Sequence, residues 1–328
     1  MLGALLFAAA AGPHIAELKT FKNWVVGCDN GLVCQAAAMM PATGGGATLS
    51  VRREPGGNAA ADVWLRVWEG EAADVGADGK PLHVHLKKND DDAYVVDPVD
   101  AVRFLDSIRA AKAVDVLDSA GKPIGALSPD GASAALLYID DRQHRLDTRG
   151  ALVRRGDRPD SSVPPPPALP VRYTVAGSAK PPSQLSAEFI AKVRQDAGCA
   201  DEDDPNLISH DRLDERHTLA SITLLCESGA YNHISEDFII PDGGAPLEAR
   251  FEDADVEEVD SPYYNLYWDP KERRLHAGFK SRGIGDCGGR QQYVWDGERF
   301  RLIQVSAMDD CRGVIDFITV WRARVVER

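Results

Sequence analysis

The chain has no run of about twenty apolar residues, so no helix built from it is expected to span a bilayer. None of its cysteines stands in a CxxC pair, which argues against zinc ribbons and thioredoxin-like redox sites. No GxSxG nucleophile elbow and no HExxH zinc-protease spacing is present, although a Ser, His and Asp converging from distant positions stay open. Positive charge is also short. Lys plus Arg number 37 against 51 Asp plus Glu, a net charge of −14, so phosphate backbones and anionic membrane surfaces are repelled and nucleic-acid binding is excluded.

What remains is a globular composition, 44% hydrophobic and 27% charged, over 328 residues, a length that suits two domains better than one. The opening Met1-Leu2-Gly3-Ala4-Leu5-Leu6-Phe7-Ala8-Ala9-Ala10-Ala11 reads as the apolar part of a signal peptide over residues 1–12, with an Ala-x-Ala site at Ala9 to Ala11. No Lys or Arg precedes it, which departs from the pattern and points to a start a few residues upstream. The expected compartment is therefore the periplasm or the outside of the cell. Six cysteines, Cys28, Cys34, Cys199, Cys226, Cys287 and Cys311, agree with an oxidising compartment. Many pairings are open in principle. Nearest neighbours are expected: Cys28 with Cys34, Cys199 with Cys226, and Cys287 with Cys311.

The clearest boundary is a proline-rich linker at 159–182, where Pro164-Pro165-Pro166-Pro167 favours an extended polyproline II spacer. It divides a strand-rich first domain, 13–158, from a strand-rich second domain, 183–328. In the first, Trp24 to Cys28, Thr48 to Val51, Val63 to Trp68 and Leu82 to Leu86 carry strand patterns. Asp97-Pro98 caps a helix with Val99, Val102, Phe104, Leu105 and Ile108 at helical spacing, and a second helix follows Ser128-Pro129 with Ala132, Ala135, Leu136 and Ile139. In the second domain Leu185, Phe189, Val193 and Ala197 predict a leading helix closed by Gly198. Two hairpin-like units follow, around Trp268 and Trp295, and predict an antiparallel meander with both tryptophans packed on one sheet. The fold class is α+β: a β-sandwich-like first domain with two helices and a β-meander second domain with one.

Several motifs resemble sites and read better as structure. Gly283-Ile284-Gly285-Asp286-Cys287-Gly288 matches GxGxxG, but a strand rather than a helix follows, so a disulfide-bearing turn is expected in place of a dinucleotide site. His83 and His85, two apart on a presumed strand, lack a third metal ligand and read as a solvated strand face. His210, His217 and His233 show no ligand spacing. The acidic runs Asp201-Glu202-Asp203-Asp204 and Glu252 to Asp260 offer oxygen ligands suited to calcium, outside any EF-hand spacing, and stand second to solvated loops. No metal and no other cofactor is expected.

Four motifs in order carry a family resemblance: Trp24 with Cys28-Asp29-Asn30 and Cys34; Ala134 through Gln143 leading to Gly150 through Gly156 and the proline run; Cys226-Glu227-Ser228-Gly229-Ala230-Tyr231-Asn232; and Arg282 through Gly288. Together they resemble the domain-of-unknown-function 1176 family of exported proteins from Gram-negative bacteria, over nearly the whole chain after the leader. The resemblance implies no reaction, cofactor or catalytic residue. In that family's pattern a Gly follows the Arg142-Gln143 pair, where this chain has His144. The first domain is also similar to the invasion-associated locus B type of secreted protein, which implies a sandwich-like envelope module.

The sequence thus points to an exported, disulfide-stabilised envelope protein acting as a non-catalytic binding or accessory module, with an envelope protein or glycan as partner. The expected contact residues are Asp29 and Asn30 in the first cysteine loop and Arg282 and Asp286 beside Cys287, against the alternative that they serve only turns and a local ion pair. The rival expectation is a periplasmic hydrolase acting on a glycan or peptide through paired carboxylates.

Overall fold

Trp24–Cys28 forms a strand that is buried along its whole length and on both faces. An apolar run of this kind needs cover on two sides. One face, carrying Trp24, Val26 and Cys28, belongs to a core shared with two helices. The other, carrying Val25, packs with Ala37 and Met39 against Met308, Val314 and Ile318 from the end of the chain. Gly27 makes that approach possible, since a Cβ there would lie 2.6 Å from Leu18 and 3.1 Å from Ile318.

The computed structural model describes residues 14–41, 45–252 and 264–328. The leader expected at 1–12 and all but the first residue of the second acidic run lie outside the described residues. The chain is strand-rich, with three α-helices among the described residues and five sheets, none closed into a barrel. The first sheet has seven antiparallel strands in the order Lys19–Phe21, Trp24–Cys28, Cys34–Ala38, Ala47–Arg53, Ala61–Val67, Tyr94–Val96 and Leu86–Lys88. Beside it lies a four-stranded sheet made by Pro123–Leu127, Val114–Leu117, Asp74–Ala77 and Lys80–Pro81. No helix among the described residues is long and apolar enough to cross a membrane.

Helix α1 spans Pro98–Ala110, and the Asp97 side chain accepts from the Val99 N–H as its cap. The apolar face turns out to be Ala101, Phe104, Leu105 and Ile108, while Val99 and Val102 are exposed. Helix α2, Ala132–Arg142, buries Ala132, Ala135, Leu136 and Ile139 against the same core. Helix α3, Ala187–Asp196, is capped by Ser186 and packs on a sheet made of Ile208–Arg212, His217–Leu224, Ile234–Pro241 and Leu247–Glu248. The stretch Leu82 to His85 is not a strand. Asp74 accepts the N–H groups of His83 and Val84, Asp100 accepts that of His85, and His83 takes a φ of +52°, so the two histidines do not share a strand face.

After the consecutive prolines, Val171–Thr174 pairs in parallel with the last strand, Arg324–Glu327. The meander comprises Tyr267–Asp269, Arg274–Lys280, Gly288–Trp295, Phe300–Met308 and Ile318–Arg322, each antiparallel to the next. Trp268 and Trp295 lie in its single core with Tyr293, Phe300 and Leu302, as their spacing implied.

The motif around Arg142 and Gln143 is a buried polar knot. Asp140 accepts the backbone N–H groups of Leu152 and Val153 at 2.8 Å and faces the Arg53 guanidinium at 3.5 Å. Gln143 donates to the carbonyls of Leu32 and Arg53, and the fully buried Arg145 donates to those of Gly56 and Gly57. Burial first, and then the neighbouring Arg145 charge, pull Arg53 down to about 10. His144 sits in the middle of this chain reversal with φ +58°, the left-handed region where glycine is unstrained. His144→Gly should therefore raise unfolding free energy by about 0.5–1 kcal/mol in a denaturant melt, and a loss of stability would refute the strain argument.

All three disulfides join nearest neighbours, Cys28–Cys34, Cys199–Cys226 and Cys287–Cys311, and no described cysteine is free. The last one ties the meander to the loop that packs on the first sheet. Replacing Cys287 and Cys311 together by Ala should lower unfolding free energy by roughly 2–4 kcal/mol. An unchanged denaturation midpoint would show that this bridge adds nothing to the packing around it.

Candidate functional site

In the meander, side chains alternate between the core and an outward face, and pairing register decides which of them meet. Tyr267 lies opposite His276, His276 opposite Gln292, Gln292 opposite Gln304, and Gln304 opposite Arg322, so one row of polar side chains crosses all five strands. A second row runs Gly278, Arg290, Ser306 and Thr319. A bulge after Gln292, where Ile303 is left over, keeps both rows on this face while Tyr293 and Leu302 turn into the core.

These rows floor a cleft of about 450 Å³ whose walls include Phe279, Lys280 and Phe317. Its groups are only partly used by the protein itself. Gln292 Oε1 accepts from Arg274 at 3.1 Å, and the Ser306 and Thr319 hydroxyls are 3.2 Å apart. Gln304 donates weakly to Ser306 at 3.4 Å. The Tyr267 ring stacks on His276 at 4.6 Å with an interplanar angle of 6° and keeps 58% of its surface exposed. Burial holds the His276 imidazole below its usual value, against the pull of Glu272 and Asp269. Arg290 lies 4.2 Å over the Phe317 ring, and the cleft walls pull its pKa down by desolvation. No carboxylate lines this cleft.

Gln304 and Thr319 also line a smaller recess of about 100 Å³, whose other wall is Gln35, Arg52 and Asp29 from the first sheet. The surface therefore runs from Tyr267 across the meander to the first cysteine loop. A further cleft, about 400 Å³, lies beside Gly150 and Asp160. Its polar lining is largely spent: Asp160 accepts from the Gly150 N–H, Arg155 pairs with Asp106, and Arg53 donates to Ala59 and Gly150.

The residues expected from sequence fall at the two ends of the composite surface. Asp29 is buried, accepts from the Gly31 and Val33 N–H groups, and lies 2.5 Å from Arg322 Nε. Burial pushes its carboxyl above the usual range, against the pull of those bonds and of Arg322. Asn30 holds the backbone of Arg322 from both sides, donating to its carbonyl at 3.0 Å and accepting from its N–H at 2.9 Å. At the other end Arg282 pairs with Asp286, which also accepts from the Gly313 N–H at 2.6 Å, while Gly285 of the same turn lines the cleft. The Arg282 hydrogen bond, before burial opposes it, holds the Asp286 carboxyl below its usual value. The structure thus brings Asp29 with Asn30 and Arg282 with Asp286, and sets the two pairs at opposite margins.

What sequence reasoning missed is the floor between them: His276, Arg290, Gln292, Gln304 and Thr319. Alternation in Arg274–Lys280 and Gly288–Trp295 was there to be read, but register was not. Asp269, Glu272 and His276 place ligand atoms within 4.8 Å of one another at the rim, where Asp269 already caps the Lys271 and Glu272 N–H groups. In the acidic run at 201–204, Glu202 accepts from the Cys226 N–H and Asp204 from that of Asn206.

Residues 18–324 match the family described as "Protein of unknown function (DUF1176)", and the chain belongs to that family. It is 30% identical over 335 residues to "Uncharacterized protein YpfG" of Escherichia coli (strain K12), covering 93% of each chain. No solved structure matches it. The likeness of the first half to the invasion-associated locus B type does not appear among these matches.

One buried acid lies apart from the cleft. Asp237, beside Ser221 and Ser235, has its Oδ1 sealed from solvent without a hydrogen bond among the described residues, and burial pushes it up to about 6. Because the folded value exceeds the unfolded one, the stability it contributes is complete below about pH 4 and is lost as pH rises through about 6. Asp237→Asn should leave stability at pH 4 unchanged and raise it at pH 8 by about 1–2 kcal/mol. Parallel melts at the two pH values that shift equally would refute this.

Proposed function

For this member of the family, we propose an exported envelope protein that works as a non-catalytic binding or accessory module and holds its ligand on the polar face of the meander. The observation that carries the reading is the row Tyr267, His276, Gln292 and Gln304, set in register across four strands along a cleft of about 450 Å³, with Arg322 on the fifth strand continuing it into the smaller recess. A rigid sheet that presents amides, hydroxyls and an exposed aromatic ring, with donors left over, has the composition of a recognition surface. Three disulfides and the apolar leader motivate the exported location.

The two strand-rich halves on either side of 159–182 would then act together, since the recess at one end of the cleft takes Gln35 and Arg52 from one half and Gln304 and Thr319 from the other. The paired-carboxylate hydrolase needs two carboxyls roughly 5 to 9.5 Å apart facing one cleft. Each of the three clefts described above is lined by one carboxylate or none, so we keep the hydrolase as the second reading.

Crosslinking capture from intact envelopes tests the proposal, with the wild type and a Gln292→Ala/Gln304→Ala variant as baits of equal folded content by circular dichroism. A component retained in near-stoichiometric amount by the wild type should fall at least about tenfold with the variant, the loss of two well-placed hydrogen bonds. Arg282→Glu should weaken capture too if the hairpin margin takes part. Equal retention by wild type and the double variant would remove the cleft from the reading.

A further inference from the structure

The cleft floor carries a cation that the protein leaves unneutralised. The Arg290 guanidinium makes no hydrogen bond or ion pair with any described residue, and its one directional contact is the Phe317 ring. The carboxylate whose charge bears on it, Asp316, is committed elsewhere: Oδ1 to Arg66 at 2.8 Å, and Oδ2 to Arg66 at 2.9 Å and Trp64 at 2.8 Å. Lys280, on the same wall, likewise has no acidic partner among the described residues for its ammonium. Opposite Arg290 stands Gly278, where a Cβ would come within 2.6 Å of the Gly289 carbonyl and 3.4 Å of Arg290 Cγ. The glycine leaves the guanidinium room to lie along the floor.

The chain as a whole carries −14, yet charges beyond about 8–10 Å are screened at physiological salt, and the charged side chains that line the cleft itself are Arg290 and Lys280. A planar guanidinium held on an aromatic ring, its fork free, is a receptor for an oxyanion. The remaining groups narrow the ligand. Arg274–Lys280, Gly288–Trp295 and Phe300–Met308 are interior strands whose backbones are paired on both sides, so a ligand on the floor meets side chains only and finds no strand edge to extend. Those side chains are two amides, two hydroxyls, the His276 imidazole and the open ring of Tyr267 stacked on it. Amides and hydroxyls match rows of ring hydroxyls, and an exposed aromatic face matches the apolar face of a sugar. Across the five strands the row runs roughly 19 Å, at ~4.8 Å per strand, room for several sugar rings.

We propose that the cleft binds an acidic saccharide, with the sugar carboxylate received by Arg290 and flanked by Lys280, and the sugar rings laid along Gln292, Gln304 and Tyr267. This rests on the reading of the cleft as the binding surface. The test is calorimetric titration of the full chain with trigalacturonate and a hyaluronan tetrasaccharide, with neutral galactotriose and chitotriose, and with hexaglutamate. The acidic saccharides should bind, and their neutral counterparts at least tenfold more weakly. Arg290→Gln should reduce affinity for the acidic sugars tenfold or more. Lys280→Gln, at an exposed position without a partner to lose, should reduce it several-fold and flatten its dependence on salt. Equal binding of acidic and neutral saccharides, untouched by Arg290→Gln, would overturn the acidic assignment and leave the cleft as a binding surface. Binding of hexaglutamate alone, sensitive to Arg290→Gln, would overturn the saccharide and assign an acidic peptide instead. If none of the probes bound, the acidic saccharide would be refuted, and the cleft would stand or fall on the capture experiment.

Discussion

The structure depends on one close approach. The strand Trp24–Cys28 is covered by helices on one side and by the Ile318–Arg322 strand on the other, and it can be so only because position 27 has no side chain. From that contact the rest follows. Val25, Ala37 and Met39 share a core with Met308, Val314 and Ile318, the loop before Ile318 is brought over the outer end of the first sheet, and Asp316 reaches Arg66 and Trp64. A larger residue at 27 would push whole layers away from each other, rather than merely crowd one strand.

The cleft is a by-product of this arrangement with an electrostatic character of its own. Asp316 is used to join the layers, and so it is not spent on Arg290. Many described acidic side chains are paired with surface cations, as Asp147 is with Arg154 and Glu298 with Arg250. Pairs of that kind add little stability and leave little field behind. A local cationic floor inside an acidic protein is therefore no contradiction, since screening makes the neighbourhood of Arg290 and Lys280 the charge that a ligand meets.

Much of this was legible in the sequence, wherever the signal was local. Asp97-Pro98 caps a helix as its chemistry dictates, and close cysteine neighbours pair. The GxGxxG string is a disulfide-bearing hairpin turn between Arg274–Lys280 and Gly288–Trp295, as the strand behind it implied. Failures came where tertiary contacts decide. Val99 and Val102 have helical spacing but face solvent, because the core lies under Phe104 and Ile108. Leu82 to His85 alternate like a strand, yet two distant carboxylates, Asp74 and Asp100, take their N–H groups. The polar rows could not be foreseen, because five strands had to be aligned first and a bulge shifts the register within them. The glycine that the resemblance led one to expect after Gln143 would sit without strain in the left-handed backbone that His144 adopts.

The contact between the two ends of the chain also sets an order of events. The Met40 N–H bonds to the Arg312 carbonyl, and Ile318–Arg322 covers a strand begun at residue 24, so the first sheet keeps an open hydrophobic side until Ile318–Arg322 has been synthesised. A nascent chain cannot finish its first half and wait; the two ends must close together after release. Contacts of such long sequence separation slow folding and prolong the exposure of apolar surface. Loss of the Ile318–Arg322 strand would leave the Trp24–Cys28 strand, far earlier in the chain, as the region that cannot be completed.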